Sequence, residues 1–269
     1  MKRITVKDIQ KYKQKKLPFA TLTAYDYISA SYADKSGIPL LLVGDSAAMV
    51  VYGMDNTIPI TMNELIFLVK AVCRSSKKAL IVADMPFMSY QASIEDAVYN
   101  AGRFLKEAGA GAIKLEGGSA YCPQIRAIID AGIPVIGHIG LLPQSYHLSS
   151  GYHIQGKTNY EAEKIFDDAI KIEQSGAFAI VLEGIPSKLA KKITESIKIP
   201  TIGIGAGPYC DGQIQVFHDI LGLYDEIIPK HSKQYSNLGN EIKRVIKKYK
   251  LEVESNFFPK IEEKNTDKS

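Results

Sequence analysis

The chain predicts a closed (β/α)8 barrel, an α/β fold in one large domain, on three observations. Short β-rich runs alternate with stretches of helical period. Small glycine-bearing motifs stand ahead of the strands. Four apolar runs break off at an acidic residue: Leu40 to Gly44 at Asp45, Leu80 to Ala83 at Asp84, Ala112 to Leu115 at Glu116, and Ala179 to Leu182 at Glu183.

In chain order, strands are expected at Ala20 to Thr23, Leu40 to Val43, Leu80 to Ala83, Ala112 to Leu115, Val135 to Gly137, Ala179 to Leu182, Thr201 to Ile204 and Glu226 to Ile228. Between the third and fourth, Ile94, Ala97, Val98, Ala101, Phe104, Leu105 and Ala108 keep one helical face apolar, and Ser93 with Asp96 makes a capping pair at its start. Ser36-Gly37-Ile38-Pro39, Ala108-Gly109-Ala110-Gly111, Ala131-Gly132-Ile133-Pro134 and Ser175-Gly176-Ala177 each place a glycine where a helix C-cap and a tight turn need positive φ. Eight parallel strands in about 230 residues suit a closed barrel better than an open sheet. The barrel, with an N-terminal helical segment, is expected over residues 1–258, and residues 259–269 as a polar, flexible tail.

With 269 residues, 46% hydrophobic and 23% charged, the chain can bury a full core. Its net charge of +4 comes largely from the ends, where Lys2, Arg3, Lys7, Lys11, Lys13, Lys15 and Lys16 crowd the start. No aromatic residues alternate with them for base stacking, so they read as a solvated helix and no nucleic-acid partner is expected. Cys73, Cys122 and Cys210 are too far apart for a CxxC site, and an odd count does not suit a disulfide framework, which points to a reducing, cytoplasmic setting. The start lacks an apolar leader core, and no apolar stretch approaches the roughly 18 residues that span a bilayer, so no membrane partner is expected.

In a barrel, residues just past the C-terminal ends of the strands converge on one mouth. Asp45, Ser46, Asp84, Lys114, Glu116, His138 and Glu183 would all point there. A single carboxylate after a strand can simply cap the next helix. Several gathered in one place need a cation or a proton to offset their charge. Oxygen ligands without a second histidine or cysteine at metal-ligand spacing favour a hard ion such as Mg2+. A 2-oxo acid can chelate that ion through carboxylate and keto oxygens, which polarises the ketone, stabilises an enolate and lets a nearby carboxylate act as base on the adjacent carbon.

Lys114 lies two residues before Glu116, so in a strand both side chains share a face. It either holds a substrate carboxylate or enolate, or forms a plain ion pair inside the barrel. His138 either donates to substrate or is satisfied by backbone. The segment from Gly140 to Lys157, with His147 and His153, reads as a long active-site loop or lid. Gly203-Ile204-Gly205-Ala206-Gly207 either grips a phosphate or permits close backbone packing.

Across about Ile4 to Phe258 the chain resembles the ketopantoate hydroxymethyltransferase family. The resemblance is carried by Thr23-Ala24-Tyr25-Asp26, Gly44-Asp45-Ser46, Ala83-Asp84-Met85-Pro86-Phe87, Lys114-Leu115-Glu116-Gly117-Gly118, Gly137-His138-Ile139-Gly140, Pro143-Gln144-Ser145, Gln155-Gly156-Lys157, Leu182-Glu183 and the glycine cluster with Asp211-Gly212-Gln213. It implies a TIM barrel of the phosphoenolpyruvate/pyruvate type. The reaction it implies moves a hydroxymethyl unit from 5,10-methylenetetrahydrofolate to 3-methyl-2-oxobutanoate, giving 2-dehydropantoate for pantothenate biosynthesis through a Mg-stabilised enolate. By the same resemblance Asp45, Asp84 and Glu116 would hold one Mg2+ per subunit. Asp45, Ser46, Asp84, Lys114 and His138 would form the substrate site. Glu183 would take the C3 proton, and the subunits would form a homo-oligomer, often a decamer.

The chain departs from the family pattern at Ala47-Ala48, where Leu-Gly is usual, and at Ser149-Ser150, where a glycine pair is common. The first departure alters the loop if residue 48 needs positive φ. The competing reading is a metal-dependent carbon-carbon lyase with a cysteine at the barrel mouth as acid or base. It would require Cys73, Cys122 or Cys210 to reach that mouth.

Overall fold

The computed structural model of the protein describes residues 2–148, 151–224 and 232–259. It divides into two compact units, Met1–Phe217 and His218–Ser269. The first holds eight parallel strands closed into a barrel: β1 Phe19–Thr23, β2 Leu40–Val43, β3 Leu80–Asp84, β4 Ala112–Lys114, β5 Val135–Gly140, β6 Ala179–Glu183, β7 Thr201–Ile204 and β8 Gly212–Gln215. The helices are α1 Val6–Gln14, α2 Tyr27–Lys35, α3 Ala47–Val50, α4 Met62–Ser75, α5 Ile94–Arg103, α6 Cys122–Asp130, α7 Asn159–Gln174, α8 Ser187–Ser196, α9 Phe217–Leu221 and α10 Leu238–Glu254. Ser93 caps α5 through the Asp96 N–H at 3.0 Å, and the helix continues as a π-helical turn, Phe104–Ala108, ended by Gly109 at φ 80°.

The eighth strand corrects the sequence expectation. The segment Glu226 to Ile228 lies outside the described residues, and the strand that closes the barrel is Gly212–Gln215, paired with both β7 and β1. A parallel crossover usually takes a dozen residues or more and a helix. Here residues 205–211 return the chain without one. The short, polar Gly-Gln-Ile-Gln run so soon after β7 therefore reads as loop in the sequence.

Inside the barrel, Phe19, Leu40, Leu42, Leu80, Val82, Ile136, Phe178, Val181, Ile202 and Ile214 form one buried cluster. Ile9 of α1 is buried in the same cluster, with Ile4, Val6 and Tyr12 packed on it. Burying one such side chain stabilises by about 1.5–3 kcal/mol. The Tyr12 ring lies 4.9 Å from that of Phe19, the first residue of β1. Lys13 pairs at 2.9 Å with Asp211, which also accepts from the Thr201 N–H at 2.9 Å. Helix α1 thus plugs the N-terminal end of the barrel, while Lys7, Lys11, Lys15 and Lys16 face solvent. The capping box of Thr5 with Asp8 starts it in register.

In the second unit, α10 begins at an Asn237 cap that accepts from the Asn240 N–H at 3.2 Å. The Gly239 N–H donates to the Gly222 carbonyl at 2.7 Å, anchoring the helix to the preceding turn. Among the described residues, no helix is long and apolar enough to cross a membrane.

Asp34, buried near the end of α2, ties that helix to the entry of β3. Its carboxylate accepts from the Ala79 N–H at 2.7 Å, Ser76 Oγ at 2.7 Å, the Lys78 N–H at 2.9 Å and the Lys77 N–H at 3.1 Å. Burial alone would raise its pKa, but these donors outweigh it and hold the carboxyl below its ordinary 3.8. Replacing Asp34 with Ala should cost roughly 2–3 kcal/mol by chemical denaturation, because buried donors lose a charged acceptor. A depressed carboxyl stabilises above its unfolded pKa and ceases to as pH falls through the lower folded value. The gap between wild type and variant should therefore close in acid; a gap that widened would contradict the assignment.

Candidate active site

The strand ends deliver the expected residues to one place. After β2, Gly44 leads into Asp45 and Ser46, and a Cβ at Gly44 would lie 2.9 Å from Ser46 Oγ. Ala47 and Ala48 are buried in α3 with helical backbone. Ala48 is not among the residues with positive φ, so the departure from Leu-Gly leaves this turn unstrained. Ser149 and Ser150 lie outside the described residues.

Register sets the next contacts. Asp84 of β3 pairs in register with Lys114 of β4, and the Lys114 ammonium lies 2.8 Å from Asp84 Oδ1. Lys114 is in turn level with Ile136 of β5. His138, two residues on, shares that face, and its Nδ1 is 3.3 Å from the Lys114 Nζ. The same Nδ1 is 3.3 Å from Glu116 Oε2, and Nε2 is 3.2 Å from Glu183 Oε2 at the end of β6. Asp45 joins through its backbone N–H, which donates to Asp84 Oδ2 at 3.2 Å. Lys114 therefore does make the internal ion pair that was one reading of it, and His138 is held by side chains rather than by backbone.

Burial separates the roles. The Asp84, Glu116 and His138 side chains are at most 2% exposed, whereas Glu183 keeps 18%. Glu183 is thus the member open to an incoming molecule. Asp84 Oδ1, Glu116 Oε2 and His138 Nε2 are buried without an aligned hydrogen bond, so the close approaches above are ion contacts.

Burial and the Lys114 charge would lower the His138 pKa, but Glu116 and Glu183 outweigh them and raise it to about 9. That favours the imidazolium at neutrality, in ion contact with Glu116 at Nδ1 and Glu183 at Nε2. Burial would lower Lys114 as well, yet Asp84, Asp45 and Glu116 hold it above its ordinary value. Burial pushes Asp84 up, offset in part by Lys114 and reinforced by Asp45. Burial likewise raises Glu116 against the pull of His138. Set against Asp45, Asp84, Glu116 and Glu183, Lys114 and charged His138 leave a formal charge of −2.

Among the described residues no group of three or more His, Cys, Asp or Glu side chains forms a ready-made metal cage. Magnesium does not need one: it keeps several waters and takes one or two carboxylates. The oxygen donors and the excess of carboxyls over cations fit such an ion, with Asp84 Oδ1 and Glu116 Oε2 held by ion contacts alone.

Several residues of the mouth had no role assigned from sequence. Tyr25 is buried with its hydroxyl 2.8 Å from Ser46 Oγ. Tyr90 and Gln144 are buried beside Glu116. Tyr152 comes from the expected lid. Burial, then the field of Asp45, with Tyr146, Glu183 and Glu116 behind it, pushes its phenol up to about 12, so it stays protonated as a donor. The motifs containing Tyr25 and Gln144 are visible in the sequence, but their contacts join strands far apart in the chain.

His147 and His153 are exposed. In the glycine cluster, a Cβ at Gly203 would lie 2.9 Å from Cys210 Sγ and one at Gly207 2.4 Å from Ser187 Cβ, which is the close-packing reading. Cys73 sits in α4 and Cys122 begins α6. Cys210 directly precedes Asp211, the residue paired with α1 at the far end of the barrel, and burial pushes its thiol up to about 11. For Cys73 and Cys210 burial works against the thiolate a lyase would use.

Comparison with known proteins gives this geometry its context. A family model described as ketopantoate hydroxymethyltransferase matches residues 3–261. A 3-methyl-2-oxobutanoate hydroxymethyltransferase of Carboxydothermus hydrogenoformans is 54% identical over 266 residues, covering 99% of this chain and 96% of that protein. One from Clostridium acetobutylicum is 56% identical over 249 residues, covering 93% and 90%. Among solved structures, phosphonopyruvate hydrolase aligns at TM-score 0.64 and 12% identity over 96% of this chain and 92% of that one. A 2,3-dimethylmalate lyase of the PEP mutase/isocitrate lyase superfamily aligns at 0.59 and 15%, over 99% and 93%. At such identity the structural likeness establishes the barrel type and nothing more.

The His138 arrangement is open to NMR. Both ring nitrogens should carry protons at neutral pH and titrate near 9, and Glu183→Gln should move that titration downward by removing an anionic partner. A histidine raised on folding stabilises fully below its unfolded pKa, ordinarily 6.5, and ceases to as pH climbs through about 9. A neutral His138 at pH 7 would contradict the assignment.

Proposed function

The chain belongs to the ketopantoate hydroxymethyltransferase family, and from that premise we propose how its barrel mouth carries out the reaction. The activity is transfer of a hydroxymethyl group to 3-methyl-2-oxobutanoate, giving 2-dehydropantoate. The observation that supports the site reading best is the unbroken run of contacts Asp84–Lys114–His138–Glu183, buried at one end and open at the other.

In this reading Asp45, Asp84 and Glu116 hold one Mg2+ per subunit. Bound there, the ion supplies Lewis-acid polarisation of the substrate's keto oxygen. Ser46, backed by the Tyr25 hydroxyl, and the Lys114 ammonium bind the oxo acid's oxygens and orient it. His138, held as imidazolium, keeps Glu183 aimed at the substrate's C3 and offsets its charge. Glu183 takes the C3 proton, C3 bonds to the one-carbon unit delivered by 5,10-methylenetetrahydrofolate, and water supplies the oxygen of the new hydroxyl as the carbon–nitrogen bonds break and tetrahydrofolate leaves. Tyr152, 42% exposed, stands at the rim of the mouth as a protonated phenol. The reading carries with it a cytoplasmic location, in keeping with three free cysteines, and a homo-oligomer, a decamer by family resemblance.

Two substitutions test it in D2O, with 3-methyl-2-oxobutanoate followed by proton NMR. Glu183→Gln should still bind oxo acid and metal but lose C3-proton exchange by about 10²–10⁴-fold, the range ascribed to a general base. Exchange at the wild-type rate would remove Glu183 from that role. Asp84→Asn should raise the half-saturating Mg2+ and weaken oxo-acid binding together, each by at least about tenfold. An unchanged metal requirement would sink the acidic trio as the metal site.

A further inference from the structure

Gln144 lies in the 3-10 turn Pro143–Ser145 that follows β5 and is buried. An amide is buried at little cost only when its donors and its oxygen are all met. Here they are. Its Nε2 donates to Asp45 Oδ2 at 3.0 Å and to the Met85 carbonyl at 2.9 Å. Its Oε1 accepts from the Tyr90 hydroxyl at 3.0 Å and from Gln91 Nε2 at 3.3 Å. Its backbone N–H donates to Glu116 Oε1 at 2.6 Å. One residue therefore grips two carboxylates that follow different strands, Asp45 after β2 and Glu116 after β4, with Asp84 of β3 between them.

The grip selects oxygens. With Glu116 Oε1 taken by the Gln144 N–H, it is Oε2 that stays buried without an aligned hydrogen bond. With Asp45 Oδ2 taken by the amide, Oδ1 is the oxygen left over. Asp45 and the Met85 carbonyl settle which way the amide faces, since both can only accept. A flipped amide would set a carbonyl oxygen against each of them, and both pairings are repulsive. At its other end the buried Tyr90 hydroxyl lies 3.0 Å from Gln144 Oε1 and 2.8 Å from the Glu116 carbonyl, packing the amide in place.

We propose that Gln144 is a positioning residue for the reaction: an amide clamp that determines which oxygen of Asp45 and of Glu116 faces the cation, with Tyr90 packing the clamp in place. It acts through the two carboxylates and exchanges no proton with substrate. The inference rests on the metal reading given above.

The test uses Mn2+ alone as probe, titrated by electron paramagnetic resonance against the full chain without substrate, beside Mg2+ dependence of turnover and thermal unfolding. Gln144→Met keeps length and volume and removes the side-chain donors to Asp45 and Met85, leaving the backbone N–H to Glu116 in place. It should raise the Mn2+ dissociation constant by about 10–100-fold, as loss of a partner that orients a metal ligand does, and high Mg2+ should restore part of the turnover. Tyr90→Phe should shift the constant the same way by less. Because Tyr90 acts through Gln144, the double variant should bind Mn2+ no more weakly than Gln144→Met alone. Wild-type Mn2+ affinity in a folded Gln144→Met protein, or full additivity in the double variant, would overturn the clamp. If Gln144→Met does not fold, Tyr90→Phe decides alone, and wild-type affinity there overturns the proposal. A wild-type protein that binds no Mn2+ overturns the metal reading and the clamp together, and that result is visible before any variant is made.

Discussion

Keeping four carboxylates and two cations together at the dry mouth of a barrel is the constraint on which the site depends. Ions taken out of water lose several kcal/mol each unless opposite charges and hydrogen bonds replace their hydration. Asp84 and Lys114 meet this condition by pairing across adjacent strands, and Glu116 and His138 by facing one another over the next gap. The balance stays incomplete, since the cluster is two charges short of neutral and two of its carboxylate oxygens lack aligned donors. That deficit suits the divalent ion proposed for the site, and burial raises the Asp84 and Glu116 carboxyls.

The rest of the fold protects this arrangement by keeping stability and chemistry at opposite ends of the barrel. The interior below the mouth is filled by Leu, Val, Ile and Phe side chains, and α1 seals it through Ile9 and the Lys13–Asp211 pair. Water is excluded from below, so the low-dielectric floor strengthens every charge contact above it. The loops at the mouth carry Ser46, Gln144 and Tyr152 on a frame whose register is already set. Glu183 is the most accessible of Asp84, Glu116, His138 and Glu183, which suits the base role proposed for it.

Much of this was legible from residue order. Apolar runs that stop at Asp45, Asp84, Glu116 and Glu183 marked the strand ends, because a buried strand cannot continue through an unpaired carboxylate. The same-face spacing of Lys114 and Glu116 placed both at the mouth. The eighth strand was not legible: Gly212–Gln215 is short and half polar, and it follows β7 without the helix that normally separates parallel neighbours. Nor was the harmlessness of Ala48, whose helical backbone within α3 removes any need for glycine there.

The sequence by itself determined the fold class and the membership of the acidic set, since periodicity, capping signals and strand-end residue types are local properties of the chain, and its ordered motifs carried the family resemblance. Only the tertiary structure decided who touches whom. Which carboxylate pairs with Lys114, why His138 is charged, and that Gln144 reaches from the turn after β5 to Asp45 and Glu116 depend on the register and closure of eight strands. Those contacts run between residues as far apart as Asp45 and Gln144, and a hydrogen bond's direction cannot be inferred from spacing along the chain when both its ends are placed by different strands.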